Sequence, residues 1–64
     1  MEAEIRYLNE REVAYITGRA LSTLRNERFR GSGIPYVKVG RSVRYNRSDV
    51  FQFMEQRKIK TNQD

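Results

Sequence analysis

The 64-residue sequence contains no cysteine and no histidine. Without cysteine no disulfide can form, and with no redox signal a reducing cytoplasm is the default expectation. The two absences also remove the usual ligands of transition metals and the most common general base. We therefore expect neither an enzyme nor a protein that holds a metal or another cofactor.

Long apolar runs are missing as well. No stretch approaches the roughly 20 apolar residues that a membrane helix needs, and the segment Met1–Arg6 lacks the basic start and apolar centre of a signal peptide. Hydrophobic residues make up 38% of the chain, with four Tyr and three Phe, which suits a small core. We expect one domain over residues 1–64, folded at about 5–59 with a polar tail at 60–64, and neither a membrane partner nor a small-molecule substrate.

Positive charge is concentrated in the middle of the chain. Residues 17–48 contain eight basic side chains and one acid, whereas residues 1–16 carry a net charge of −2 and residues 49–64 are neutral. Ten of the 13 basic residues are arginine, whose planar fork suits phosphates and guanine edges. This distribution predicts a nucleic-acid binder; the alternative is a solvated charged surface.

Two short helices are predicted in the first half. In the first, Asn9 is a cap, Glu12 resembles the acidic arm of a capping box, Val13 and Ile16 form an apolar face, and Gly18 ends the helix. The second runs from Leu21 to Phe29, with Leu21 and Leu24 on its apolar side. Ala20 cannot cap this helix, which costs it about 1 kcal/mol unless it starts at Ser22. Two short helices joined by a turn with glycine form a helix-turn-helix.

A β-hairpin is predicted over Tyr36–Tyr45, after Gly31, Gly33 and Pro35 have ended the second helix. Gly40-Arg41-Ser42 forms the link between its strands. The alternation predicts one apolar face packed on the helices, made of Val37, Val39, Val43 and Tyr45. It also predicts one basic face turned to solvent or to a nucleic-acid groove, made of Lys38, Arg41 and Arg44.

A third helix is predicted after Asn46, its cap, with Asp49 in the first turn. Its apolar stripe consists of Val50, Phe53, Met54 and the stem of Arg57. Phe51 falls off this stripe, so it either contacts another protein or rotates into the core beside Phe53. Ile59 is the last residue that we expect to pack.

Short motifs in this order give the sequence a family resemblance over about Tyr7 to Glu55. They are Tyr7-Leu8, Glu12-Val13-Ala14, Thr17-Gly18, Ser22–Arg25, Gly31–Gly33, Pro35-Tyr36, Lys38–Arg41, Val43–Tyr45 and Ser48–Val50. The chain resembles the small excisionase-type and AlpA-type DNA-binding domains, whose fold is similar to the DNA-binding domain of MerR. The resemblance implies a mostly α winged helix-turn-helix with a small β-hairpin as its wing and a C-terminal helix. It also implies specific binding of double-stranded DNA, in excision of a prophage or mobile element or in transcription regulation.

The sequence departs from this family at two places in the helix-turn-helix. Arg19-Ala20 stands where the family usually has an apolar residue and a Ser or Thr cap. Glu27 stands where it often has an aromatic residue. These departures leave the packing of the second helix open. The dimerising coiled coil of full-length MerR regulators is also absent.

Candidate DNA-binding residues on the second helix lie near its N-terminus, the end that enters the major groove in helix-turn-helix proteins. We expect Ser22 to face the groove, Arg25 to bind guanine O6 and N7, and Asn26 to read adenine N6 and N7. For Arg25 the alternative is a solvent-facing helix residue, and for Asn26 a local hydrogen bond. Further expected contacts are to phosphates, from Thr23, Arg28 and Arg30. The alternative for Thr23 is a cap or a simple helix-start residue, and for Arg28 and Arg30 a solvated charge.

The predicted wing supplies a second set of candidates. Arg41 and Ser42 lie at the hairpin tip, with Lys38 and Arg44 beside them, and arginine suits a narrow, electronegative minor groove. The alternative is a charged edge that prevents aggregation. One such module buries only roughly 600–1,000 Å² on DNA, so further copies of the chain or a recombinase are possible partners.

Two other functions are compatible with the sequence. Tyr7, Tyr36 and Tyr45 are interleaved with basic residues and could stack the bases of single-stranded RNA, although Tyr7 and Tyr45 are better placed to pack in or beside the core. The second alternative is a protein-interaction adaptor whose charges only confer solubility.

Overall fold

Three helices and a three-stranded sheet make up the computed structural model, which describes residues 7–61. The elements are strand β1 (Tyr7–Leu8), helix α1 (Glu10–Thr17), helix α2 (Leu21–Phe29), strands β2 (Val37–Val39) and β3 (Ser42–Asn46), and helix α3 (Arg47–Gln56). The sheet is antiparallel with strand order β1-β3-β2. This is the predicted winged helix-turn-helix. The expected start of the folded core at residue 5 and the end of the tail at 62–64 lie outside the described residues.

Local hydrogen bonds start the helices where the sequence predicts. The Asn9 side chain accepts from the Glu12 backbone N–H at 2.8 Å, and the Glu12 carboxylate accepts from the Asn9 N–H at 2.8 Å, so the capping box of α1 is complete. Asn46 accepts from the Ser48 N–H at 2.8 Å and caps α3. Helix α2 begins at Leu21 behind Ala20, without a side-chain cap. All three helix starts are confirmed.

Strand β1 is not predicted by the sequence, because Leu8 lies directly before Asn9, the predicted cap of the first helix. Tyr7 pairs with Asn46 and Leu8 with Tyr45. Two residues are too few to show the alternation of apolar and polar side chains that marks a strand, and the strand with which they pair lies far away in the sequence. Pairing with β3 places Leu8 on the same face as Tyr45, where it packs against the core.

The predicted apolar face of the hairpin is confirmed for Val43 and Tyr45 of β3 but is wrong for Val37 and Val39 of β2. A two-residue turn, Gly40-Arg41, pairs Val39 with Ser42, Lys38 with Val43 and Val37 with Arg44. Paired residues share a face of the sheet. The observed turn is one residue shorter than the predicted link Gly40-Arg41-Ser42, and this shift of one residue in register exchanges the two faces of β2.

Exposure follows from this register. Val43 and Tyr45 face the core, whereas Val37 and Val39 are 42% and 65% exposed on the other side of the sheet. Lys38 and Arg44 therefore project from opposite faces and do not form one basic face.

The buried core consists of six side chains contributed by α1, α2, the loop before β2, β3 and α3. They are Val13, Leu24, Ile34, Tyr45, Val50 and Phe53. Ile34, which reads in the sequence only as part of a helix-breaking segment, is 3% exposed. Ile59 is 85% exposed, so its predicted packing is wrong, and Ile16 and Met54 lie at the rim with 40% exposure each. Arg57 covers Phe53 with its guanidinium, which lies 3.6 Å from the centre of the ring; the predicted packing of its stem stays a prediction.

The two departures from the family pattern meet in space. The Arg19 guanidinium donates to the Glu27 carboxylate, and both side chains are largely buried. Arg19 also lies over the Phe53 ring, 5.5 Å from its centre. An ion pair thus joins the turn after α1 to α2, at the place where the family usually has apolar and aromatic side chains.

Gly33 gives Glu27 the space that this pair needs. Its φ of +87° is in the left-handed region, and a Cβ at this position would lie 2.6 Å from Glu27 Oε1 and 2.9 Å from Glu27 Cβ. Gly31 has a similar φ of +73°, but a Cβ added there would meet nothing within 4 Å. The loop after α2 therefore approaches the helix closely at only one of these two glycines.

Gly33→Ala should destabilise the fold more than Gly31→Ala. Both substitutions force a left-handed backbone, which costs roughly 1–2 kcal/mol. Only Gly33→Ala adds a clash with Glu27, worth about 1–3 kcal/mol more. Urea unfolding of the two variants measures the difference in free energy, and equal losses would show that the loop does not depend on this close approach.

Candidate nucleic-acid interface

The outward face of α2 carries a continuous exposed stripe. Ser22, Arg25, Asn26 and Phe29 recur at i, i+3, i+4 and i+7 and are all exposed, whereas Leu24 on the opposite side is 2% exposed. Thr23 lies beside the stripe and is also exposed. Phe29 is 89% exposed. It was not among the candidate residues predicted from the sequence, although its spacing of four residues from Arg25 places it on the same helix face. The stripe offers hydroxyl, guanidinium, amide and phenyl groups on one helix face.

Arg25 is held by a carboxylate from α1. Its Nε donates to Glu10 Oε1 at 3.2 Å and its Nη2 donates to Glu10 Oε2 at 2.5 Å. The Arg25 side chain remains 53% exposed, whereas that of Glu10 is 22% exposed. The guanidinium is therefore oriented by the protein and still accessible from outside.

Arg28 points inward and connects this pair to the core. Its Nη2 donates to Glu10 Oε1 at 3.0 Å, and its Nη1 donates to the hydroxyl of Tyr45 at 2.6 Å. The guanidinium also lies 5.7 Å from the ring centre of Tyr36. Its side chain is 15% exposed, so most of Arg28 supports the interface from behind, and its phosphate contact stays a prediction.

The arginines alter the protonation of Glu10. The hydrogen bond from Arg25 lowers the pKa of Glu10 from its ordinary value of 4.5 to about 2, with a further contribution from Arg28 and against the opposing effect of burial. The same hydrogen bond raises the pKa of Arg25. Glu10 is therefore ionised throughout the neutral range and remains a permanent acceptor for both guanidinium groups.

An open cleft of about 430 Å³ lies between the start of α1, α2 and the hairpin. Its lining residues are Asn9, Glu10, Arg11, Arg25, Arg28, Arg41, Ser42, Val43 and Arg44. Five of them are arginines that face a single carboxylate, so the cleft is basic despite Glu10. It brings residues from both halves of the predicted site, α2 and the hairpin tip, to one place.

Some residues of the cleft were missed, and some predicted residues lie elsewhere. Arg11 belongs to the acidic N-terminal segment, where charge counting gave no signal for a binding role. Arg30, the C-cap of α2, and Lys38 are exposed but do not line the cleft. Arg44 lines it and donates from Nη1 to the neighbouring Val43 carbonyl at 2.8 Å.

Acidic side chains in residues 7–61 do not gather into a group of three or more that could hold a metal ion. In the same part of the chain, every helix is too short or too polar to cross a membrane.

The stability of the fold should depend on the protonation of Glu10. Because the pKa of Glu10 is lower in the folded chain, the unfolded chain takes up its proton first, and stability is lost as the pH falls from about 4.5 towards 2. Urea midpoints of the wild type and Glu10→Gln across this range should converge at low pH. A difference that stays constant with pH would contradict a stabilising role of the ionised carboxylate.

Comparison with known families agrees with this geometry. Residues 7–58 match a family model described as a helix-turn-helix domain, a range that contains every helix and strand of the described structure. Comparisons with curated proteins and with solved structures give no match. Since the family model covers most of the sequence, the chain belongs to the helix-turn-helix family of DNA-binding domains, in its excisionase- and AlpA-like class.

Proposed function

We propose that the chain binds specific sequences in double-stranded DNA, as an excisionase-like accessory factor of a prophage or mobile element or as a small transcriptional regulator. One observation carries the proposal: the exposed stripe of α2 and the arginine-lined cleft share Arg25. A reading surface and a phosphate-binding surface are thereby contiguous. The protein would act where its DNA lies, in the cytoplasm, and would make no covalent change to the DNA.

In this proposal α2 enters the major groove. Ser22, Arg25 and Asn26 face base edges, and Phe29 contacts a thymine methyl group. Thr23 and Arg30, beside the stripe, bind phosphates and fix the orientation of the helix. Arg28 holds Glu10 and Arg25 in place from behind.

The cleft would hold the sugar–phosphate backbone beside that groove. Arg11 and Arg44 line its walls, while Arg41 and Ser42 at the hairpin turn reach towards the flanking minor groove. Lys38 projects from the opposite face of the hairpin to Arg44, so it would contact a different phosphate. Each of these groups supplies affinity without reading sequence, apart from the preference of Arg41 for a narrow groove.

The other two functions have less support. Of the three tyrosines that could stack single-stranded RNA, Tyr7 and Tyr36 are 49% and 40% exposed, so the expected packing of Tyr7 is wrong, but Tyr45 is 1% exposed and its hydroxyl accepts from Arg28. An adaptor surface could include Phe51, which is 42% exposed with the Arg47 guanidinium 5.4 Å from its ring centre. We keep Phe51 as a proposed contact for a second copy or a recombinase on DNA, since one module of this size buries little surface.

Duplex binding should weaken steeply as salt rises. Each neutralised phosphate contributes about −0.9 to the slope of log affinity against log salt concentration, so five contacts from the cleft and α2 give about −4 to −5. Titration of a labelled duplex at several salt concentrations measures this slope. A slope near zero, or a preference for single-stranded RNA of equal length, would rule out the proposed function.

Arg25 and Arg30 should have different effects on binding. Arg25→Ala removes a base contact and should relax preference at particular base pairs by about 1–3 kcal/mol, whereas Arg30→Ala should weaken binding to all sequences similarly. Selection of preferred sites from random duplexes by the wild type and both variants separates the two effects. Unchanged preferences in both variants would show that α2 is not the reading helix.

A further inference from the structure

We propose that Glu10 is a positioning residue that directs the Arg25 guanidinium towards a guanine base and away from DNA phosphates. The inference rests on the proposed function and assigns one of its specificity determinants to a residue of α1. Glu10 lines a cleft whose other charged lining residues are five arginines, and this isolated acid needs an explanation.

The two hydrogen bonds from Arg25 to Glu10 use one particular edge of the guanidinium. A guanidinium has five N–H donors in a rigid plane. Nε and Nη2 lie along its side edge, and both donate to Glu10. Within residues 7–61, the end edge, formed by Nη1 and the second hydrogen of Nη2, has no hydrogen-bond partner. In the side chain, which is 53% exposed, this end edge presents two parallel donors, which match O6 and N7 of guanine.

The carboxylate itself is fixed from the interior. Arg28 donates to both Glu10 and the hydroxyl of Tyr45, and Tyr45 is 1% exposed. A continuous series of hydrogen bonds therefore runs from the core to Arg25. The Arg25 side chain is therefore oriented before DNA binds, so that it loses less conformational entropy on binding.

Charge explains why this arrangement favours bases over phosphates. An unrestrained arginine binds phosphate with two parallel N–H groups. Here the side edge is occupied, and a phosphate that approaches it meets the negative charge of Glu10. A guanine edge carries no net charge, so it suffers much less repulsion. Glu10 thus lowers affinity for random DNA while it retains affinity for a site with guanine at the correct position.

The test is a double-mutant cycle between Glu10→Gln and Arg25→Ala, read by site selection from random duplexes and by titration of one selected and one random duplex. The Glu10→Gln variant should bind random duplex more tightly than the wild type does, and its preference for the guanine facing Arg25 should fall about tenfold. In the Arg25→Ala background the same change should raise affinity for both duplexes and leave base preference unaltered.

Two controls separate positioning from general effects. Glu12→Gln removes the same charge from the same turn of α1 but does not contact Arg25 in the described structure, so base preference should persist. Glu10→Asp keeps the charge and shortens the side chain by one methylene. It should lose the guanine preference as well, and it serves as the test if Glu10→Gln does not fold by circular dichroism.

The outcomes distinguish this inference from the function on which it rests. A wild type that selects no site overturns both. A wild type that selects a site, with Glu10→Gln and Glu10→Asp retaining its full guanine preference, overturns the positioning role alone. Loss of the same preference in Glu12→Gln would also overturn it, because the effect would then come from net charge rather than from the contact with Arg25.

Discussion

The interaction on which the interface depends is the pair of hydrogen bonds made by the Arg28 guanidinium. It joins the buried hydroxyl of Tyr45 on β3 to the carboxylate of Glu10 on α1, while Arg28 itself belongs to α2. Both helices of the helix-turn-helix and a strand of the sheet are thereby fixed relative to one another. The outward side chain of Arg25 takes its orientation from this connection, so the geometry of the proposed reading face depends on the core.

The basic excess of the chain divides into two groups with different roles. Arg19, Arg28 and Arg57 lie against aromatic rings, within 6 Å of their centres, and contribute packing and cation–π interactions. The other group, Arg11, Arg25, Arg41 and Arg44, lines the cleft, and Arg28 belongs to both groups because it also lines the cleft. Net charge alone does not separate these groups. In a domain with few buried side chains, arginine replaces part of the apolar core and also supplies the proposed DNA-binding surface.

Arg19 and Glu27, which depart from the family pattern, are a second example of charged side chains that pack inside this small domain. Each residue alone would leave a charge in a largely buried position, which is costly. Together they form an ion pair beside Phe53, and Gly33 provides the space for it. Both positions depart from the family pattern in the sequence, but the sequence does not show that they pair with each other, because they lie eight residues apart.

The sequence by itself determined the elements whose signals are local. Asn9, Gly18 and Asn46 fix helix ends through hydrogen bonds and backbone conformation within a few residues, and the order of helices and hairpin predicted the fold class. The stripe of Ser22, Arg25 and Asn26 also follows directly from helical periodicity. The contacts of these residues with DNA remain predictions.

Tertiary structure decided what depends on distant partners or on a single residue of register. The turn at Gly40-Arg41 is one residue shorter than the link read from the sequence, and this alone moved Val37 and Val39 away from the core and separated Lys38 from Arg44. Strand β1 exists only because β3 offers it a partner. Arg28 and Glu10 look like ordinary surface charges in the sequence, and only the approach of α1, α2 and β3 turns them into the support of Arg25. A side chain's neighbours along the chain set its local conformation, but the partner that satisfies its charge is chosen by packing.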